Sequence, residues 1–533
     1  MKTVYYNAKV YTGQLPLQQA FSVEDGVFIE VGSNEDARVW AAQQRVDLGG
    51  AFVCAGFNDS HMHLLNLGQT LCIAPLAQHT ASLQQMLECL RRTSPGRGGW
   101  ILGRGWNQDL FTDTDRMPDR WELDKVSQQH PVCAVRACGH ALAVNSKALE
   151  LLGVTADTPQ PEGGHIGMRD GQPDGLFFDN AMTAVYAAIP MPDKNELKAM
   201  LRSACAVLNS FGITACGSDD YCVFLELPWQ KINEAFLELE AEGGLTVRVR
   251  EQVNLTTVDA LQSYIDAPDA LKGGRLFCGG PLKLLGDGAL GARTALLSRP
   301  YADDPATKGL GVFTQEQFDA LIGLAHMQGM QVAVHCIGDA CLDRVLNSME
   351  KALAVHPRAD HRHGIVHCQI TRPDQLQRMA ALGLHIYAQS IFLDYDLHIV
   401  EQRVGRELAA SSYSWKTLAR LGCTVSNGSD CPVEAPDVMA GIQCAVTRRD
   451  RSGAGPYLEE EAFSVQQALD SFTSAGAYAC FAEEKHGCIR PGMAADFTVL
   501  GKDPFAVPVE ELQHIPVLST WLEGRQVFAA KNA

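Results

Sequence analysis

The middle of the chain alternates short apolar stretches with longer amphipathic ones, and this alternation limits the fold more than any other feature. It is the pattern of a parallel sheet whose strands are joined by crossover helices. Eight strands are predicted, the number that closes a (β/α)8 barrel. They span residues 51–57, 212–216, 245–253, 281–285, 331–335, 364–367, 384–389 and 423–426. The sequence therefore predicts an α/β protein built on a TIM barrel.

Both ends of the chain are rich in β-forming residues instead. Asp25-Gly26 separates two apolar runs near the start, which is a strong hairpin signal, and Glu523-Gly524-Arg525 separates two more near the end. We expect residues 1–55 and 484–533 to form one composite β-sandwich domain.

One interval is too long for the barrel pattern. About 150 residues separate the first two predicted strands, whereas a whole βαβ unit takes roughly 30. We assign the barrel to residues 56–483, with an α+β cap domain inserted at about 72–190 on its catalytic face.

The composition excludes several classes of partner. The net charge is −18, so nucleic acid phosphates are unsuitable ligands. No run approaches the 18 apolar residues of a membrane span. The 17 cysteines include no C-x-x-C pair, and free thiols without a signal peptide indicate a reducing cytoplasm. The oligomeric state stays open, a homodimer being one option.

Two H-x-H pairs are candidates for metal binding. His61 and His63 follow the first predicted strand, and residues i and i+2 of a strand point to the same side, so both imidazoles can bind one cation. His361 and His363 form the second pair, and a chain with 16 histidines contains such pairs by chance. Spacing alone leaves chance open for either pair, and we choose His61 and His63.

Three more ligand-type residues, His335, His367 and Asp430, stand where later apolar strands give way to polar loops. The interval from His335 to His367 fits one βα unit, and the interval from His367 to Asp430 fits two. In a barrel these side chains would converge at the C-terminal mouth, where catalysis occurs. A core histidine or a helix N-cap explains each residue singly. The joint placement favours a metal site.

Lys283 interrupts the apolar stretch of the fourth predicted strand. An ammonium group is costly there unless it is paired or neutral. One interpretation is an edge-strand lysine whose amine reaches water. The other is a neutral amine that has reacted with CO2, giving an anionic carbamate able to bridge two metal ions. Spacing does not choose between them.

Together these motifs resemble the amidohydrolase superfamily, and more narrowly its YtcJ-like group (amidohydrolase family 3), which includes N-substituted formamide deformylase. The resemblance covers essentially the whole chain in the right order. The matching segments are GFNDSHMH (56–63), KLLGDGALGARTA (283–295), VHCIGDA (334–340), VHCQ (366–369), GSDCP (428–432), GHALAVNS (139–146) and GCIRPGMAADF (487–497).

The resemblance implies a site for one or two divalent ions. His61, His63 and Asp430 would hold a buried ion, His335 and His367 a more exposed one, and carbamylated Lys283 would bridge them. Zinc is the default for an imidazole-rich hydrolytic site, although iron and manganese accept the same ligands.

The resemblance also implies hydrolysis of a C–N bond in a small amide, N-acyl or N-formyl compound. A metal-activated hydroxide would attack the carbonyl, with Asp430 as general acid and base. The sequence also leaves two other functions open: a lyase or isomerase on the same barrel, and a metal-free small-molecule binding protein. Amine release from an N-acyl compound separates the two enzymes, and stoichiometric metal excludes the binding protein.

Five further residues are candidates for substrate binding. His140, Asn145, Asp287 and Arg293 match the motifs of the family, and Trp106 could form a wall of the pocket. Two of these residues also fit purely structural roles. Trp106 also fits the core of the inserted domain, and Arg293 also fits a structural ion pair.

Overall fold

Eight parallel strands, each paired with its neighbours in chain order, form the central sheet of the computed structural model, which describes residues 1–79, 81–138 and 140–531. The Ser60 hydroxyl of the first strand donates to the Asn427 carbonyl of the eighth at 2.9 Å, so the sheet nearly closes into a barrel. This confirms the predicted fold class. The strands are Phe57–Met62, Ile213–Ser218, Arg248–Asn254, Phe277–Leu285, Val332–Cys336, Gly364–His367, His385–Ala388 and Thr424–Asn427.

The prediction for the first strand was wrong in its position. Residues 51–57 contain the strand Phe52–Ala55, which pairs antiparallel with Phe497–Leu500 in a different sheet. The barrel strand begins only at Phe57. Both segments are buried throughout, so apolar character does not show where one ends and the next begins. As a result His61 lies within the strand rather than after it.

Helices follow the barrel strands and also occur in the other parts of the chain. Between the fourth and sixth barrel strands, for example, each crossover uses one helix, as the alternation predicts. The helices are Asn34–Val39, Leu64–Leu71, Leu83–Arg92, Arg120–Leu123, Ser146–Leu152, Met182–Ala188, Lys194–Ser210, Trp229–Ala241, Val258–Asp266, Gln315–Met327, Asp339–Val355, Pro373–Leu382, Leu393–Asp396, Val400–Ala409, Trp415–Arg420, Val438–Thr447, Val465–Ser471 and Ser474–Ala479.

The two ends of the chain share a sandwich of two sheets. One sheet contains Thr3–Tyr6, Ala20–Glu24, Val27–Gly32 and Gln44–Asp47, and the other contains Lys9–Val10, Phe52–Ala55, Phe497–Leu500, Val517–Leu522 and Arg525–Ala529. Aromatic side chains from both ends pack in its core, where Phe497 meets Tyr5, Phe21 and Trp521 at ring-centroid distances of 5.4, 5.1 and 5.2 Å. This confirms a sandwich built from both termini.

The chain divides into two compact units. The barrel and the sandwich make one, from residues 1–64, 205–223 and 236–533, and residues 65–204 with 224–235 make the other. The second unit has its own six-stranded sheet, with separate apolar clusters. Its strands are Ala74–Pro75, Ile101–Trp106, Val132–Arg136, Ala141–Val144, Gly164–Arg169 and Gln172–Asp179. Among the described residues, no helix has the length and apolar character needed to cross a membrane.

Candidate metal centre

His61, His63 and Asp430 form the centre of the site at the C-terminal mouth of the barrel. The Nε2 atoms of the two imidazoles lie 3.3 and 3.1 Å from Asp430 Oδ1. That oxygen is buried and accepts no hydrogen bond. One ligand atom from each residue lies within 4.8 Å of the others. Two imidazole nitrogens around an orphaned carboxylate oxygen are a donor set that suits a divalent cation.

Neighbouring groups orient both imidazoles. Gln252 donates its amide to the Ser60 carbonyl, so its Oε1 faces His61 Nδ1 at 2.7 Å and accepts the proton there. The backbone carbonyl of Asp219 accepts the Nδ1 proton of His63, also at 2.7 Å. Since Nδ1 carries the proton in both rings, the Nε2 lone pairs are left for a metal ion.

His335 and His367 are also brought to this mouth. The His367 ring lies 5.6 Å from the His61 ring and 4.4 Å from the His335 ring, measured between centroids. Gln389 Oε1 lies 2.8 Å from His367 Nδ1, so Nε2 of His367 would be the atom that binds a metal. In His335 it is Nε2 that contacts a carbonyl, that of Gly288 at 3.0 Å, so Nδ1 would bind the metal.

Lys283 is completely buried, and its Nζ lies 3.3 Å from Asp219 Oδ2. The sequence reasoning missed Asp219. It follows the second barrel strand, so the signal that singled out Asp430, an acid just after an apolar strand, was available. The other oxygen of Asp219 has no hydrogen-bond partner. Cys222, a second missed residue, lies within ligand distance of Asp219 and His63.

The charges of the site favour the ligand forms of Asp430, His61 and His367. Burial would lower the pKa of His63, but the carboxylates of Asp430 and Asp219 outweigh burial and raise that pKa well above its usual value, so a cation must displace a proton there. Burial raises the pKa of the Asp430 carboxyl, but the two imidazoles outweigh burial and hold that pKa well below its usual range. Burial lowers the pKa of His61 and of His367, which keeps both rings neutral near pH 7. A neutral imidazole beside an ionised carboxylate is the state that binds a cation.

The backbone at two of the candidate ligands is strained. His367 and Asp430 have φ angles of 72° and 56°, in the left-handed region that non-glycine residues rarely adopt. A buried carboxylate, Asp59, holds the second of these turns, because it accepts from the backbone amide of Ser429 and from its hydroxyl. Such strain clusters at functional sites when the surrounding structure enforces it.

Two of the predicted substrate residues lie in the barrel unit. Asp287 is buried beside His335, with Oδ1 3.4 Å from Nε2, and it accepts the backbone amides of Ile337 and Gly338. It therefore positions the loop after the fifth strand. Arg293 forms a two-pronged ion pair with Asp303, the alternative left open by the sequence.

The other three lie in the second unit. Trp106 is buried in an apolar cluster and donates its indole N–H to the Ala134 carbonyl, as the core alternative expects. Asn145 is buried and caps the helix Ser146–Leu152. His140 is exposed, with Nδ1 3.1 Å from a carboxylate oxygen of Asp179.

The second H-x-H pair has internal partners. The Nε2 atom of His361 lies 2.9 Å from the Leu382 carbonyl, and His363 Nε2 lies 2.8 Å from His326 Nδ1. Both residues precede the strand Gly364–His367, whereas the candidate ligand His367 ends it. They are therefore at the opposite end of the barrel from the metal centre.

Comparison with known proteins identifies the family of this chain. The model of the amidohydrolase family matches residues 44–528. The Bacillus subtilis (strain 168) protein YtcJ, which is named as an amidohydrolase, is 33% identical over 99% of both chains. N-substituted formamide deformylase of Arthrobacter pascens is 26% identical over 97% of this chain and 96% of its own. An uncharacterized metal-dependent hydrolase of Pyrococcus horikoshii OT3 has a TM-score of 0.78 at 28% identity, covering 96% of this chain and 99% of the other. With a match that spans barrel and sandwich alike, the chain belongs to the amidohydrolase family.

Proposed function

We propose that the protein hydrolyses a C–N bond in a small amide, N-acyl or N-formyl compound. The observation that carries this proposal is the group His61, His63 and Asp430, in which two imidazole nitrogens face one orphaned carboxylate oxygen. The similarity to a formamide deformylase supports the bond type.

Five residues and one bridging side chain would hold the cations. His61 and His63 would bind one ion together with Asp430, and His335 and His367 a second. When bound, such cations lower the pKa of a water molecule and polarise a carbonyl oxygen. Zinc fits this imidazole-rich set best.

Lys283 would bridge the two ions as a carbamate. The lone pair of its neutral Nζ would attack the carbon of CO2. One C–N bond would form while a C=O π bond of CO2 breaks to leave an anionic oxygen, and one N–H bond of the amine would break to release a proton to solvent. The position of Lys283 supports this step, because its side chain is completely buried in the barrel strand Phe277–Leu285. The carboxylate of Asp219 lies 3.3 Å from this amine.

Asp430 would carry the proton in the reaction. Its carboxylate accepts the proton of the attacking water and then delivers it to the leaving nitrogen, which departs as an amine. The low pKa of this carboxyl keeps it ionised before the reaction. Asp59 and Ser429 hold its backbone in place.

The test combines metal analysis with a substrate screen. The purified protein should contain stoichiometric divalent metal and release amine from N-formyl amines, N-acyl amino acids or cyclic amides. Asp430→Asn should lower kcat by about 10²- to 10⁴-fold, the usual contribution of a general acid or base. His361→Ala, outside the metal centre, is the matched control and should retain metal and turnover.

The other two functions give different results in the same assay. A metal-loaded protein that isomerises or eliminates a carbon acid without releasing amine would be a lyase or isomerase. A protein without stoichiometric metal would be a binding protein. We also propose a cytoplasmic location, because all 17 cysteines are free.

A further inference from the structure

A cavity of about 210 Å³ lies at the N-terminal end of the barrel, opposite to the metal centre. The first halves of the second, third and fourth barrel strands line it, together with residues 480–486 after the last helix. It reaches solvent, since the side chain of Arg275 at its wall is 60% exposed. None of its lining residues belongs to the metal centre.

The wall of this cavity is basic although the whole chain carries a net charge of −18. Four cationic residues line it, and no aspartate or glutamate does. Two of the four are neutralised by carboxylates that do not line the cavity. Arg248 pairs with Asp496 and Glu523, and Arg275 pairs with Glu523. The other two are Arg250 and Lys485.

Arg250 is the group that most needs a further partner. Its Nη1 donates to the thiol of Cys278 at 3.3 Å, and its Nε is buried without any hydrogen bond. No carboxylate within the described residues forms an ion pair with it. A guanidinium left this way is costly, and a guanidinium fork matches the oxygens of a phosphate or carboxylate group.

Asn58 is a second, independent sign of a ligand. Only 1% of this residue is exposed, it lines the same cavity, and neither its amide nitrogen nor its amide oxygen has a hydrogen-bond partner. Buried polar groups almost always have partners. The amide nitrogen could donate to an anion held by Arg250.

We propose that this cavity binds a small oxyanion, either inorganic phosphate or the carboxylate of a short metabolite. Arg250 anchors the anion, Asn58 adds a hydrogen bond, and Lys485 contributes charge at the rim. The volume limits the ligand, because pockets for drug-sized molecules span about 300–1,000 Å³. The site is distinct from the substrate site of the proposed hydrolase.

The test is calorimetric titration of the metal-loaded full chain with phosphate, acetate and succinate, at an ionic strength held constant with sodium chloride. We expect saturable binding of at least one of these anions. Arg250→Met should weaken it by about tenfold or more, since a hydrogen bond to a charged group contributes about 1.5–3 kcal/mol. Phosphate that binds at the metal centre would bind wild type and variant equally.

Two further variants show whether a loss of binding comes from the cavity or from misfolding. Asn58→Asp, nearly isosteric, should also abolish anion binding, because it places a fixed negative charge in the cavity. Arg299→Met removes an exposed arginine that pairs with Glu407 outside the cavity, and should bind like wild type. A preference for phosphate or for succinate identifies the source of the anion. Absence of saturable binding, or binding unchanged in both cavity variants, overturns the proposal.

Discussion

Each histidine proposed to bind metal depends on one neighbour that decides which ring nitrogen carries the proton. For His61 this neighbour is Gln252, and for His367 it is Gln389. The His335 ring is turned the other way, since Nε2 contacts the Gly288 carbonyl. The ligand atom of a histidine is therefore set by the residue behind it, and the metal centre extends beyond the residues that would touch a metal ion.

Lys283→Ala is predicted to abolish metal binding and activity. The change removes the proposed bridging carbamate. A short carboxylic acid with bicarbonate should restore part of both, because it supplies a carboxylate in place of the carbamate. Metal analysis and amine release measure the outcome, and retention of full activity would show that the bridging role is wrong.

A double variant separates the bridge from a simple ion pair. If Lys283 serves only to neutralise Asp219, then Lys283→Met combined with Asp219→Asn should keep the metal, because the pair is replaced by neutral groups. If Lys283 is the bridge, the double variant should lose the metal. For wild type, ¹³C NMR after incubation with ¹³C-bicarbonate should show a carbamate signal that the Lys283 variants lack.

The first and eighth barrel strands meet so closely that only glycine fits between them. At Gly428 an added Cβ would lie 2.6 Å from Asp59 Oδ1 and 2.7 Å from the His61 amide. The Asp430 amide donates to the His61 carbonyl at 2.9 Å across the same junction. The geometry of the metal trio therefore depends on the contact between these two strands.

Gly428→Ala is predicted to push the two strands apart. It should lower the free energy of unfolding by about 1–3 kcal/mol, the usual cost of overpacking, and weaken metal binding by moving Asp430 from the two histidines. Gly323→Ala is the matched control, since its Cβ meets nothing within 4 Å in the helix Gln315–Met327. Urea unfolding and metal titration compare the two. Equal metal affinity in both variants would contradict this account.

On the scale of the whole molecule, buried neutral histidines make stability depend on pH. Burial lowers the pKa of His363 to about 2, of His385 to about 3 and of His486 to about 4. In the unfolded chain these rings gain a proton near pH 6.5. The unfolded state thus binds more protons below that pH, so the stabilisation is complete above pH 6.5 and is lost as the pH falls towards the folded values.

His486→Gln tests this dependence. Wild type should lose free energy of unfolding between pH 7 and pH 5, and the variant should lose less, by up to about 2 kcal/mol. Urea unfolding at both pH values measures the difference. Because both proteins keep the same metal ligands, release of metal affects them alike. An equal loss in both would show that His486 is protonated in the folded protein.

Local patterns were sufficient for seven of the eight barrel strands and failed at the first. Residues such as Val332 and Val334 mark a strand by their apolar character, and the helix that follows has a different hydrophobic periodicity. Between Ala55 and Phe57 the signal does not change, although the chain leaves one sheet for another. Only the pairing partners, Phe497 for Ala55 and Ile213 for Phe57, separate the two strands.

The amino-acid sequence by itself determined the α/β class and the sandwich built from both ends, because strand period and turn signals are local properties. The six proposed ligands came from the resemblance to the amidohydrolase superfamily, because spacing alone left their roles open. The tertiary structure alone decided which H-x-H pair lies at the catalytic mouth and which ring nitrogens are free. Gln252 and His61 are 191 residues apart, and Lys283 and Asp219 are 64 apart. Contacts over such separations arise only when the barrel closes, so no local pattern could have revealed them.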